Sequence, residues 1–338
     1  MQKVYQFFRL IRFSNILVMV LTMTLFYGLL SNFHRHRQYI LSDVNEPFEL
    51  VEYSFIERLG LLDFNFILLI LSVILVASSG NIINDYFDQK ADRVNKPNRI
   101  IIDKYIKRRW AIILNWTFNG IGFLIALFLS YTLDNWWISL ISFLSINLLY
   151  FYSAIYKRKF LVGNLIVAFL TALVPLYVFV YAAFSNFPDH SPFGSNATIF
   201  LEHNLKALTI YAGYAFLFNI IREIIKDIAD VKGDLLLKSQ TLPIRFGLKK
   251  TKTVLLLLYI VGITPLLYFI YSHTSVSDEI FLWVRLRVFI YLLIAVVVLT
   301  LISMILLILH NKRKYYLASS NFLKFAMLFG VISALFYT

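Results

Sequence analysis

From Phe66 to Asp92 the chain reads FILLILSVILVASSGNIINDYFDQKAD, an apolar run that ends in Asp85, Asp88 and Asp92. From Tyr214 to Asp234 it reads YAFLFNIIREIIKDIADVKGD, ending in Asp227, Asp230 and Asp234 with the same internal spacing. Apolar runs of this length cross a bilayer as helices. A carboxylate at the centre of such a helix costs about 2.5–3.5 kcal/mol, and less near the interface. Six of them in two matched sets imply a function, and the chemistry of clustered carboxylates points to a divalent metal.

Outward from these two runs the composition agrees. Hydrophobic residues make up 59% of the 338 and charged residues 15%, well under the roughly 25% charged of a soluble domain. The expectation is an all-α, polytopic membrane protein. No Pro/Gly/Ser linker or low-complexity stretch divides it, so residues 1–338 read as one membrane domain. There is no cysteine, which excludes disulfides and thiolate metal sites. The net charge of +13 belongs to cytoplasmic loops and anionic headgroups in such a protein, not to nucleic acid. No small-residue cleavage site follows the first apolar run, which reads as a retained span.

Nine runs qualify as spans, at about 14–31, 64–83, 110–130, 136–153, 163–184, 206–224, 253–272, 283–309 and 321–337. The segments between them alternate in charge. Lys3, Arg9 and Arg12 precede the first span, and Lys90, Arg93, Lys96, Arg99, Lys104, Lys107, Arg108 and Arg109 follow the second. Lys157, Arg158 and Lys159, then the basic segment 222–252, then Lys312, Arg313 and Lys314 continue the pattern. The positive-inside rule places the N-terminus and both Asp clusters on the cytoplasmic side of the inner membrane. An odd number of spans puts the C-terminus outside.

At 100° per residue, Asp85, Asp88 and Asp92 share an arc of about 60° on a helix, and Asn81 falls inside it. In the second cluster Glu223 holds the place of Asn81, and Lys232 that of Lys90. The matched register predicts two similar helix ends facing each other across a central cavity. Three carboxylates on one face repel unless a cation neutralises them, and hard oxygen ligands favour Mg²⁺ or Mn²⁺. Neighbouring Lys226, Arg222, Lys96 and Arg99 suit a polyanionic ligand such as a diphosphate. Lys157 and Arg158 either reach a phosphate or only enforce topology. A lone Asp of this kind merely solvates a helix end; two triplets in register call for more.

Asn84-Asp85-x-x-Asp88-x-x-x-Asp92, followed by Asn95-Lys96-Pro97-Asn98-Arg99, resembles the first Asp-rich motif of the UbiA-type intramembrane prenyltransferases. Arg222-Glu223-x-x-Lys226-Asp227-x-x-Asp230-x-x-Gly233-Asp234, with Thr241 to Gly247 after it, resembles their second. Tyr152-Ser153, Lys157-Arg158 and Gly163-Asn164 are similar to the segment between spans four and five. Within the family the motifs look most like the digeranylgeranylglyceryl phosphate synthase branch. The chain departs from the pattern at Ile100 and at Ile101-Ile102-Asp103-Lys104, where the family carries a Pro and a Pro-Ser-Gly region near the acceptor mouth.

The resemblance implies nine helices around a cavity and two Mg²⁺ ions, Mn²⁺ being an alternative. It implies a polyprenyl diphosphate donor and a lipophilic acceptor within membrane lipid. In that reading Asp85, Asp88, Asp92, Asp227, Asp230 and Asp234 hold metal, assisted by Asn84 and Asn81. Arg99, Lys96, Arg222, Lys226, Lys157, Arg158 and Asn84 hold diphosphate. Tyr152, Tyr86 and Phe87 are the candidate walls for a carbocation, against ordinary packing in a chain with 32 Phe and 21 Tyr. The acceptor is the hydroxyl of a prenylated glycerol phosphate or, alternatively, an aromatic quinone or tetrapyrrole precursor. A cation-binding transporter is the rival class; it requires ionisable residues spread through the spans, whereas here they gather at one face.

Overall fold

The computed structural model describes residues 2–41, 63–95, 97, 100–185, 195–273 and 280–336. A short amphipathic helix α1 (Gln2–Leu10) precedes nine long ones: α2 (Phe13–Leu41), α3 (Phe64–Asn95), α4 (Arg108–Thr132), α5 (Trp136–Ala154), α6 (Val162–Ser185), α7 (Ser195–Leu236), α8 (Leu242–His273), α9 (Ile280–Leu309) and α10 (Arg313–Ser333). Among the described residues these nine are long and apolar enough to cross a membrane, one for each expected span.

The boundaries differ where charge was read as the end of a span. Helix α3 continues past the apolar run to Asn95 and α7 to Leu236, so both acidic motifs lie on unbroken helix. Nothing in NDYFDQKAD stops a helix, and the first proline after it is Pro97. Helix α10 starts at Arg313, ahead of its apolar run. At the end of α3 remote from the motif, Asp63 accepts the Phe66 N–H (3.2 Å) as an N-cap and the hydroxyls of Tyr181 (2.7 Å) and Tyr27 (3.1 Å). One carboxylate thereby ties α3 to α2 and α6.

The helices form a ring. Helix α3 packs on α4, α5 and α7; α6 on α2, α5 and α7; α8 on α7 and α9; and α10 on α9, α7 and α2, which closes the circle. Polar bonds pin α4 against α3, Ser72 donating to the Gly122 carbonyl (2.7 Å) and Asn115 to that of Ser79 (3.1 Å). Helix α4 stands outside the ring and exposes Trp116, Leu124 and Phe128. The other eight long helices enclose a cavity of about 880 Å³. Pro175 of α6 and Pro265 of α8 both lie on its wall. Tryptophans are exposed at both ends of the bundle, Trp110 at one and Trp136 and Trp137 at the other, as at the two interfaces of a membrane.

Candidate active site

The two acidic motifs meet because α3 and α7 touch at their ends. Asn95 makes the junction: its amide donates to the Asp230 carbonyl (2.9 Å), and its side-chain oxygen accepts the Gly233 N–H (3.0 Å). Gly233 permits the approach. A Cβ there would lie 2.9 Å from the Ala91 carbonyl and collide with the Asn95 amide. The loop after α5 folds against the same end, where the Arg158 carbonyl accepts the Gln240 N–H (2.9 Å). Gly163 permits that fold, since a Cβ would stand 2.9 Å from the Lys157 Cα.

Each described contact of the acids with another element is to a cation or an amide. Asp85 receives Arg12 (2.8 Å), Asp88 receives Lys157, and Asp230 receives Arg313 (3.0 Å). Lys157 also donates to Asn84 (3.2 Å), and Asn164 donates to Asp227 (2.8 Å). Asp92 and Asp234, both half-buried, complete the two faces. Arg12 occupies the left-handed backbone region (φ 56°) between α1 and α2. That conformation is uncommon for a residue with a side chain, and here it turns the guanidinium onto Asp85. Burial opposes the charges of Arg12 and Lys157, but the carboxylates outweigh it. Asp85 with Asp88 holds Arg12, and Asp88 holds Lys157, above their ordinary pKa values.

Among the described residues no three acidic or histidine side chains converge into a ready-made cage. Mg²⁺ does not require one, since it typically takes one or two carboxylates, keeps waters and shares substrate phosphates. The donor set at this junction is hard oxygen throughout, and positive charge already sits on three of its acids. Its chemistry therefore fits a divalent cation with a phosphate ligand.

One end of the cavity lies beside this junction, although none of the six acids lines its wall. Asn81 and Glu223, the register-matched pair, both line it, as do Arg12, Arg222 and Lys226. Asn81 donates to the Ile11 carbonyl (2.9 Å), and Lys226 to Glu223 (2.5 Å). Glu223 is the one carboxylate on the wall among the described residues. Lys96 and Arg99 lie outside the described residues. Tyr86, Phe87 and Tyr152 lie off the cavity wall. Tyr86 and Phe87 pack edge to face with each other, while Tyr152 backs Lys157, whose Nζ lies 6.0 Å from the ring centre. The aromatic residues that do face the cavity include Phe26, Tyr177, Tyr211, Tyr214, Phe218 and Phe289. Sequence reasoning missed Arg12, Asn164 and Arg313 as partners of the acids. Only Asn164 carried a signal, the Gly163-Asn164 pair. The departing residues Ile101 and Ile102 are buried with Leu10, Ile11 and Ile82, capping α1 onto α3.

The sequence profile of the UbiA prenyltransferase family matches residues 54–328. The chain belongs to this family. Among UbiA relatives it is 33% identical over 235 residues to the digeranylgeranylglyceryl phosphate synthase of Methanobrevibacter smithii, covering 68% of this chain and 75% of that one. To the enzyme of the same name from Methanosphaera stadtmanae it is 32% identical over 225 residues, covering 65% and 72%. A solved digeranylgeranylglyceryl phosphate synthase structure superposes with a TM-score of 0.58 at 23% identity, covering 99% of this chain and 98% of that one. A UbiA homologue from Archaeoglobus fulgidus, solved with GPP and Mg²⁺, superposes with a TM-score of 0.52 at 15% identity, over 98% and 99% of the two chains. These two likenesses show the fold alone, a helical fold shared with UbiA homologues.

Proposed function

We propose that this chain, acting as one membrane domain, transfers a polyprenyl group from its diphosphate to the hydroxyl of a prenylated glycerol phosphate. The reading that carries it is the junction of α3 and α7, where two acid triplets and several cations stand beside the charged end of an apolar cavity. The names of the relatives support the acceptor, and the Archaeoglobus homologue bound to GPP and Mg²⁺ supports the donor class and the metal. Charge alternation supports an inner-membrane protein with its N-terminus and active site cytoplasmic and its C-terminus outside.

Asp85, Asp88, Asp92, Asp227, Asp230 and Asp234, with Asn84 and Asn81, would hold two Mg²⁺ ions. When bound, these ions neutralise the leaving diphosphate. The chain's own residues do the rest. Lys226, Lys157 and Arg158, with Lys96 and Arg99, bind the free phosphate oxygens and orient the donor so that C1 points into the cavity. The bond from C1 to the bridging oxygen breaks, and its electron pair leaves with diphosphate. The acceptor oxygen bonds to C1 and loses its proton to Glu223. The apolar wall excludes water, which would otherwise capture the allylic cation. A cavity of 880 Å³ is near the upper end of the roughly 300–1,000 Å³ typical of ligand sites, as a long prenyl chain requires.

The test supplies radiolabelled geranylgeranyl diphosphate and Mg²⁺ to the purified protein. Geranylgeranylglyceryl phosphate should yield a doubly prenylated product with stoichiometric diphosphate release. Transfer to a hydroxybenzoate or homogentisate instead would overturn the acceptor assignment, and ion flux without transfer would overturn the enzyme reading.

A further inference from the structure

Two cations on the cavity wall have no acidic partner in hydrogen-bond or ion-pair contact among the described residues. Lys324 of α10 donates to the side-chain oxygen of Asn15 on α2 (2.7 Å). Arg222 of α7 donates through one terminal nitrogen to Asn219 (3.1 Å), and its buried Nε has no hydrogen-bond partner. Asn219 is itself fixed by bonds to Thr171 (2.7 Å) and the Val167 carbonyl (3.2 Å). Both cations line the cavity, close enough to feel each other's charge.

Their position separates them from the acid junction. Arg222 precedes Asp227 by five residues, about 7.5 Å along α7 at 1.5 Å per residue. Helical side chains lean toward their own N-terminus. The N-terminus of α7 is the end remote from the motif, so Arg222 leans away from the acids. Helix α10 runs the other way: Arg313 at its start reaches Asp230, and Lys324 lies eleven residues further in, about 16 Å along the axis. Lys324 therefore leans back toward the level of Arg222. Asn15 sits one turn beyond Arg12, the partner of Asp85. Three helices thus bring a rigidly braced pair of positive charges to the wall just beneath the junction.

Glu223, next to Arg222 on the same wall and acting on its charge, is engaged by Lys226 (2.5 Å), and two like charges held by neutral amides repel each other. A dianion relieves this, and a phosphate monoester offers enough oxygens for both groups, including the vacant Arg222 Nε–H. The prenyl diphosphate has its own cations and acids at the junction above. We propose that Arg222 and Lys324, braced by Asn219 and Asn15, form a second anion subsite that binds the phosphate monoester of the acceptor. This moves Arg222 from the donor diphosphate to the acceptor. The proposal deepens the function proposed above and rests on its phosphate-bearing acceptor.

The test is a binding experiment on the full-length protein in nanodiscs, with dodecyl phosphate as the probe, dodecanol as its uncharged control, and the protein's thermal stability recorded throughout. Dodecyl phosphate should bind in the presence of geranylgeranyl diphosphate and Mg²⁺, and dodecanol should not. Lys324→Met should weaken dodecyl phosphate binding about ten-fold or more, Lys324→Arg should restore it, and affinity for geranylgeranyl diphosphate should stay within about two-fold of wild type. With geranylgeranylglyceryl phosphate, Lys324→Met should raise the acceptor KM and leave the donor KM in place. Displacement of dodecyl phosphate by the donor would overturn the subsite, as would equal probe binding to wild type and Lys324→Met. Should Lys324→Met fail to fold, the wild-type competition decides alone. Probe binding as expected without turnover of geranylgeranylglyceryl phosphate supports the subsite and overturns the acceptor assignment.

Discussion

Asp88 is buried, at 8% exposure, and accepts Lys157 from a loop 69 residues further along the chain. Removing its carboxylate leaves that lysine without its counter-charge and, in the function proposed above, would take one oxygen ligand from the metal. Asp88→Ala or Asp230→Ala should lower prenyl transfer by about 10²-fold or more while the protein still runs as a folded species on size exclusion. Glu223 is the wall carboxylate, so Glu223→Gln should lower kcat about 10²-fold or more with little change in donor affinity, as for loss of a proton acceptor. An unchanged kcat would remove Glu223 from the chemistry. Tyr86 and Phe87 show how far residue-level reading reaches. They lie beyond Asn81, the last α3 residue on the cavity wall, where they pack edge to face on each other and Phe87 packs on Tyr150. Their aromatic character suggested a cation wall, and the structure places them off the wall of the cavity.

At the scale of elements, the distance between the two acid motifs depends on how closely α3 and α7 approach. Asn95 and Gly233 set that distance. Gly233→Ala must displace Asn95 or the Ala91 carbonyl and so part the two triplets. It should lower transfer at least ten-fold with expression preserved, measured as diphosphate release in membranes. Asn95→Ala removes two hydrogen bonds across the same seam, a loss of about 1–3 kcal/mol, and should lower the thermal midpoint as well as activity. If both variants keep full activity, the seam is structural only. The elements themselves were legible in sequence, because an apolar run of bilayer length leaves few alternatives to a helix. Their ends were not. Charge was read as the end of a span, while the hydrogen-bond ladder of α3 and α7 continues through the charged residues.

At the scale of the whole molecule, eight helices enclose one apolar cavity whose charged residues crowd one end. Its length should select the donor. Met23 lies on the wall eleven residues beyond Arg12, about 16 Å along α2. Met23→Trp should block the far part of the cavity, so that geranyl diphosphate remains a substrate and geranylgeranyl diphosphate declines about ten-fold or more, read from a competition between the two donors. An unchanged donor ratio would place the prenyl chain elsewhere. Removal of divalent cations by chelation should abolish transfer, and Mg²⁺ should restore it.

Class, span number and the two acid motifs were decided by sequence alone. Hydropathy over a bilayer length and a 3.6-residue period are local properties, written in consecutive residues. What stands opposite each acid was decided only by tertiary structure. Arg12 meets Asp85 across 73 residues, Arg313 meets Asp230 across 83, and Lys324 meets Asn15 across 309. No spacing rule encodes such pairs, because they exist only once the ring has closed and α10 rests against α2. That closure sets cations from three other parts of the chain against two rows of costly charge, and brings Arg222 and Lys324 to the cavity wall nearby.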